Sequence, residues 1–213
     1  SNMKNRKKDT RWLVGVAMLA AIIIVMANTP LGFIPLPITK ATTTHIPVIL
    51  GAILLGPMAG AILGGVFGIC SVVVNTFTPG LTAFAFSPFM STTGLEGAVK
   101  ALWVALGCRI LLGVFAGWLW IILKKCRVND WMALPVTGFV CTLFHTAVVM
   151  GSIFLLFTQQ YAQARNVAME AVSGLILATV TGNGIPEAIV ALIAVTAIGK
   201  ALLRVTQVRT LPA

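Results

Sequence analysis

The chain has 213 residues, of which 58% are hydrophobic and 9% charged, with a mean hydropathy of +0.99. Water-soluble domains carry about 25% charged residues, so this composition excludes an ordinary soluble enzyme or binding module and indicates an all-α integral membrane protein. Fifteen Lys and Arg against five Asp and Glu give a net charge of +10. The basic residues gather at the ends of apolar runs, which argues for membrane topology and against nucleic-acid binding.

Ser1 and Asn2, ahead of Met3, read as an expression remnant. Lys4, Arg6, Lys7, Lys8 and Arg11 precede the first apolar run, Trp12 to Ala27, and no small-residue cleavage site follows it. A retained span over residues 12–28 with a cytoplasmic N-terminus is therefore expected, not a signal peptide. Asn28 to Thr44 contains Pro30, Gly32, Pro35 and Pro37, residues that break helix and favour an external loop.

The next thirty residues, His45 to Val74, are almost continuously apolar, and Gly56-Pro57 divides them into two short spans, 45–56 and 58–74. Charge supports the division. A single span would put Lys124, Lys125 and Arg127 on the side opposite the basic N-terminus, whereas two spans bring both clusters to the cytoplasm. Asn75 to Glu96 is expected to form a second external loop, interrupted by Pro79, Gly80, Pro88 and Gly94 and rich in Phe77, Phe84, Phe86 and Phe89. Spans over 97–123, 131–157 and 172–203 complete the chain, with Lys200, Arg204 and Arg209 at the end. Eleven of the fifteen basic residues then face the cytoplasm. The expectation is one transmembrane domain over 1–213, a six-helix bundle with two ordered external loops and both termini inside.

Gly56, Gly60, Gly64 and Gly68 recur every four residues, and Gly113-Gly117 and Ala17-Ala21 repeat the spacing. Such bare stripes let helix backbones approach closely, either within the chain or against a partner subunit. Cys70, Cys108, Cys126 and Cys141 form no CxxC pair and suggest free thiols, with no disulfide framework and no metal site. The chain has no GxxxxGK[ST], GxSxG or HExxH motif, so an enzyme is not expected and no cofactor is implied.

Polar residues inside the spans carry the functional signal. Arg109, His145, Asn183 and Glu187 each fall about a dozen residues into an apolar run, where a charge costs at least ~2.5–3.5 kcal/mol on insertion scales. They should face the bundle interior, with Arg109 and Glu187 as the obvious ion pair. The plain reading is a neutralised structural pair beside a hydrogen-bonded core histidine; the sharper one is the floor of a solute cavity. Gly182, Gly184 and Pro186 weaken the helix around Asn183, as expected where irregular backbone lines a cavity. From the external loops, Thr44, His45, Asn75, Phe84, Phe86 and Ser87 offer aromatic surface and hydrogen-bonding groups suited to a small amphiphile. Lys100 is a candidate for an anionic group or a snorkelling interfacial lysine.

These features resemble the S components of energy-coupling factor (ECF) vitamin transporters, over nearly the whole chain. The resemblance rests on Thr44-His45-Ile46-Pro47-Val48-Ile49-Leu50-Gly51 leading into Gly56-Pro57, on Asn75 to Phe89 ending in Phe86-Ser87-Pro88-Phe89, and on Asn183-Gly184-Ile185-Pro186-Glu187. The stretch from Thr44 to Phe89 is most similar to the pantothenate-type branch. The resemblance implies a vitamin-binding subunit of a prokaryotic plasma membrane that docks on a transmembrane T subunit carrying two cytoplasmic ATPases. It also implies docking through an AxxxA stripe, matched here by Ala17 and Ala21. A carboxylate ligand would use Lys100 or Arg109, with Phe84 and Phe86 as an apolar wall; a pyridoxine-like ligand would shift contacts towards Asn75, His145, Asn183 and Glu187. Folate, riboflavin and cobalamin remain further ligand alternatives, and a stand-alone proton-coupled carrier is the alternative mechanism.

Overall fold

A computed structural model of the chain describes residues 2–35 and 40–208. Ser1, Pro37 and Arg209, which entered the sequence reading, lie outside the described residues. Helix α1 (Asn2–Ala27) leads to a two-stranded antiparallel hairpin, β1 (Phe33–Pro35) and β2 (Lys40–Thr42), with Phe33 opposite Thr42. Helices α2 (His45–Leu55) and α3 (Pro57–Phe77) follow. A loop with 3₁₀ turns at Ala83–Ala85 and Pro88–Met90 then joins α4 (Gly94–Leu102), which passes through a π-turn at Trp103–Gly107 into α5 (Cys108–Lys125). Helix α6 (Asp130–Arg165) returns, and α7 (Val172–Thr179) continues through a second π-turn at Val180–Gly184 into α8 (Ile185–Val208).

Among the described residues, five stretches are long and apolar enough to cross a bilayer: Thr10–Ala27, Pro57–Phe77, Gly94–Lys125, Asp130–Arg165 and Met169–Val205. The protein is an all-α membrane bundle. Helix α2 is different. Its eleven residues rise only about 16 Å, against a hydrocarbon core of about 30 Å, and nine of them are buried. It is thus sheathed by the other helices, which explains why its sequence is apolar on all sides.

Gly56 has φ of +95° and ends α2 in a conformation that favours glycine, while Pro57 opens α3 at a position where its missing N–H costs nothing. Trp12 on α1 donates its indole N–H to the Leu55 carbonyl at 2.9 Å, satisfying an acceptor that the end of α2 leaves open. The glycine stripe of α3 lies against α5. A Cβ on Gly60 would stand 2.3 Å from the Gly113 carbonyl oxygen, and one on Gly113 would stand 1.8 Å from that of Gly60. Close packing within the chain therefore accounts for this stripe, and a partner subunit is not needed to explain it.

Several boundaries differ from the sequence expectation. Helix α3 runs to Phe77, so Asn75 sits in its last turn and not in a loop. Helix α6 continues to Arg165, eight residues beyond the expected end at 157, across a local departure from helical geometry at Phe157 (φ −134°, ψ 24°). Its extension is polar on one side, with Thr158, Gln159, Gln160 and Gln163, and hydropathy alone gives such a segment no helical signature. The hairpin was hidden by the prolines of this segment; Pro35 is the last residue of β1, opposite Lys40.

Two apolar clusters frame the interior. One surrounds α2 and joins Ile49, Leu63, Phe67, Leu112, Leu134 and Val195. The other lies beneath the 78–93 loop and joins Phe84, Val104, Ile153, Phe157, Tyr161 and Val172. Three of the four cysteines are buried, Cys126 is exposed, and all four are free thiols.

Candidate functional site

Arg109 sits two residues after the first π-turn, within reach of the carbonyls of that turn. The Arg109 side chain folds back to use them: Nη1 donates to the carbonyls of Val104 at 2.8 Å and Ala105 at 3.1 Å. Its guanidinium stacks over Phe67, 4.8 Å from the ring centre, and over Phe86 at 5.3 Å, contacts that favour a cation most strongly when water is excluded. Only 4% of Arg109 is exposed.

The expected Arg109–Glu187 ion pair does not form. Among the described residues the ion pairs are Lys100–Glu96 and Lys124–Asp130. The reason is geometric: two carbonyls and two rings hold the guanidinium on its own side of the bundle, while Glu187 turns to the hairpin and accepts the Thr42 N–H at 2.9 Å. Arg109 Nε is buried without a hydrogen-bond partner, and every hydrogen bond Arg109 makes among the described residues runs through Nη1. The unfilled Nε–Nη2 edge has the fork geometry that binds a carboxylate through two parallel hydrogen bonds.

Between these two charges lie two histidines. His45 opens α2 and His145 lies mid-way along α6; their rings are 6.2 Å apart and inclined by 23°. His145 also meets Phe67 at 5.9 Å. Both histidines are buried, and among the described residues His45 Nδ1, His45 Nε2 and His145 Nε2 have no hydrogen bond of good geometry, although the Thr42 backbone lies close to the His45 ring. Buried imidazole nitrogens are normally satisfied, so three without a partner in one cluster, beside the unpartnered Arg109 Nε, are the unusual feature of this interior. The hairpin base holds His45 in position: Thr44 Oγ1 donates to the Gly32 carbonyl at 3.0 Å, Thr43 N–H donates to the same oxygen at 3.2 Å, and the Thr43 hydroxyl donates to the Leu31 carbonyl.

The other sequence candidates are distributed around this line. Phe84 is buried edge-on against Phe157 at 5.6 Å. Asn183 is half-buried in the second π-turn, one helical turn before Glu187. Lys100, in the last turn of α4, is engaged by Glu96 at 2.5 Å. Asn75 donates to the Ser71 carbonyl of its own helix at 2.8 Å. Thr76 donates to the Val72 carbonyl, so the Ser87 hydroxyl gives its one proton to Thr76 Oγ1 at 2.6 Å while accepting from Phe89 N–H. The hydroxyls of Ser87 and Thr44 are thus occupied in shaping loops. Phe67 was not singled out from the sequence, although it lies three residues after Gly64, on the helix face that the glycine stripe presses against α5. Tyr161 was also missed; it is 1% exposed, and its hydroxyl has no hydrogen-bond partner among the described residues.

An open depression of about 700 Å³ lies elsewhere, at the turn after α6, among Gln159, Gln163, Asn166 and Met169. It has neither a charged side chain nor any residue of the Arg109–His145 cluster in its wall. On α1, Val16, Ile23 and Ala27 point into the bundle, while Ala17 and Ala21 are exposed on another face.

Comparison with known proteins agrees with this architecture. The sequence profile of the family described as "ECF transporter, substrate-specific component" matches residues 11–199. The chain is 35% identical over 194 residues to the pantothenic acid transporter PanT of Lactococcus lactis subsp. cremoris, covering 88% of this chain and 92% of that protein. It is 28% identical over 213 residues to the pantothenate transporter PanT of Leuconostoc mesenteroides subsp. mesenteroides, covering 96% and 97%. With the resemblance spanning nearly the entire bundle, the chain belongs to the substrate-specific components of the ECF transporters, a family of membrane transport proteins.

Proposed function

We propose that this chain is a pantothenate-binding S component of a prokaryotic plasma membrane, with both termini cytoplasmic, which delivers its vitamin by docking on a T subunit with two ATPases. The observation that carries the reading is the open Nε–Nη2 edge of Arg109, a buried cation held between Phe67 and Phe86 with no carboxylate of its own. An anion of the right shape completes it. Pantothenate has one carboxylate for that edge, a gem-dimethyl group for the Phe84 and Phe86 walls, and amide and hydroxyl groups for His45, His145, Asn183 and Glu187. Lys100, Thr44, Ser87 and Asn75 have other partners and act in this reading through loop and helix structure. The names of the two curated relatives support the same ligand.

The exposed Ala17 and Ala21 provide a bare strip on α1 where a partner helix can approach. Eleven basic residues at one end of the spans support cytoplasmic termini. The test is mass spectrometry of small molecules that co-purify with the detergent-solubilised protein. Pantothenate is expected at close to one equivalent; consistent recovery of a different vitamin in its place overturns the assignment.

A further inference from the structure

Glu187 lies at the far end of a continuous line of contacts from Arg109. Arg109 stacks on Phe67, Phe67 meets His145, and His145 stacks on His45. His45 follows the hairpin by one short turn, and the hairpin's Thr42 N–H donates to Glu187 Oε1. This line thus has a buried cation at one end, a half-buried carboxylate at the other, and between them two histidines whose Nε2 atoms have no hydrogen bond of good geometry among the described residues. Glu187 Oε2 accepts no hydrogen bond among the described residues, and no cation is paired with the carboxylate there. Glu187 is one of only five acidic residues in the chain, placed where an unpaired charge is costly.

We propose that Glu187 is a specificity-determining residue that restricts the site to solutes with a single anionic group, admitting the free vitamin acid and rejecting its phosphate ester. This inference rests on the pantothenate reading and assigns the opposite end of the same ligand. With the carboxylate on Arg109, the terminal hydroxyl of the ligand reaches Glu187 and donates to Oε2. A phosphate on that hydroxyl replaces a donor with a second anion facing the half-buried Glu187 carboxylate, and like charges brought together across a partly desolvated contact are disfavoured. Thr42 has a positioning role: its N–H holds one carboxylate oxygen and leaves the other without a hydrogen bond among the described residues.

The test is competition binding to purified full-length protein at mildly alkaline pH, using pantothenate, its phosphate ester at the terminal hydroxyl, and a neutral carbamate ester of similar bulk at the same position. The wild type should prefer pantothenate over the phosphate ester by at least about a hundredfold and bind the carbamate at least about tenfold better than the phosphate. Glu187→Gln keeps the acceptor and removes the charge, and should narrow the acid-to-phosphate ratio by about tenfold or more. Equal rejection of carbamate and phosphate by the wild type means that size and not charge decides, and overturns the inference even if Glu187→Gln fails to fold. An unchanged ratio in a folded Glu187→Gln variant overturns it as well. Failure of pantothenate itself to bind contradicts the functional reading and this inference with it, whereas comparable binding of all three ligands removes only the charge filter.

Discussion

Gly64 on α3 and Arg109 on α5 are in backbone contact: a Cβ on Gly64 would stand 2.1 Å from the Arg109 carbonyl oxygen. That contact sets the distance between the two helices at the level of the site and brings Phe67, one turn along α3, beneath the guanidinium. Gly64→Ala should therefore force α3 and α5 apart, with a cost of about 1–3 kcal/mol, as is usual for overpacking. The expected result is a lower melting temperature in detergent together with weaker ligand binding. Wild-type affinity and melting temperature in this variant contradict the link between helix spacing and the arginine platform.

Arg109→Ala should weaken pantothenate binding by more than about a hundredfold, because it removes a buried charge-assisted contact. Arg109→Lys should rescue little of this. Lysine keeps the charge but offers no planar fork, and it cannot both hold the Val104 and Ala105 carbonyls and present a paired edge to the ligand. Restoration of near-wild-type affinity by lysine in isothermal calorimetry would show that charge alone is recognised.

His145→Phe preserves a flat ring against His45 and Phe67 while deleting the unpartnered Nε2. If the histidines are there to meet polar atoms of the solute, this change should weaken binding by about tenfold, roughly 1.4 kcal/mol, and leave thermal stability equal or higher because an unsatisfied buried polar group is gone. Unchanged affinity would assign His145 to packing alone.

Phe86→Ala and Asn183→Ala should each weaken binding by more than about tenfold, Phe86 through loss of the stacked wall over Arg109 and Asn183 through loss of a ligand hydrogen bond. Calorimetry with wild-type affinity for both variants would move the ligand elsewhere in the bundle.

Ala17→Leu and Ala21→Leu place bulk on an exposed strip of α1 that contributes nothing to the Arg109 cluster. Solute binding by the isolated protein should be unchanged, and ATP-driven uptake by the reconstituted assembly should be lost. Normal uptake by both variants removes the docking role.

Much of the architecture was legible because it rests on long-range averages: apolar run length, basic residues at run ends, and the Gly56-Pro57 break. Arg109, His145 and Glu187 stood out because each is expensive in its place. The pairing among them was not legible. Whether Arg109 meets Glu187 or its own helix depends on the π-turn at Trp103–Gly107, a one-residue widening with no hydropathy signature, two of whose carbonyls lie within reach of the guanidinium. The hydrogen-bond partners of Ser87 and Asn75 were not legible for a related reason. A hydroxyl or amide in an aromatic-rich loop looks available for a ligand, whereas here Thr76 and Ser71 lie close enough to engage them. Phe67 was masked by the apolar helix around it, because an aromatic residue among aliphatic ones reads as core until the cation above it is located.

The most direct measurement is isothermal calorimetry of pantothenate with the purified wild-type protein and with Arg109→Ala, in detergent and without partner subunits. A buried cation completed by the vitamin carboxylate predicts saturable one-to-one binding by the wild type and a loss of more than about a hundredfold in the variant. Indistinguishable affinities for the two proteins, or no pantothenate binding by a folded, ligand-free wild type, would contradict it.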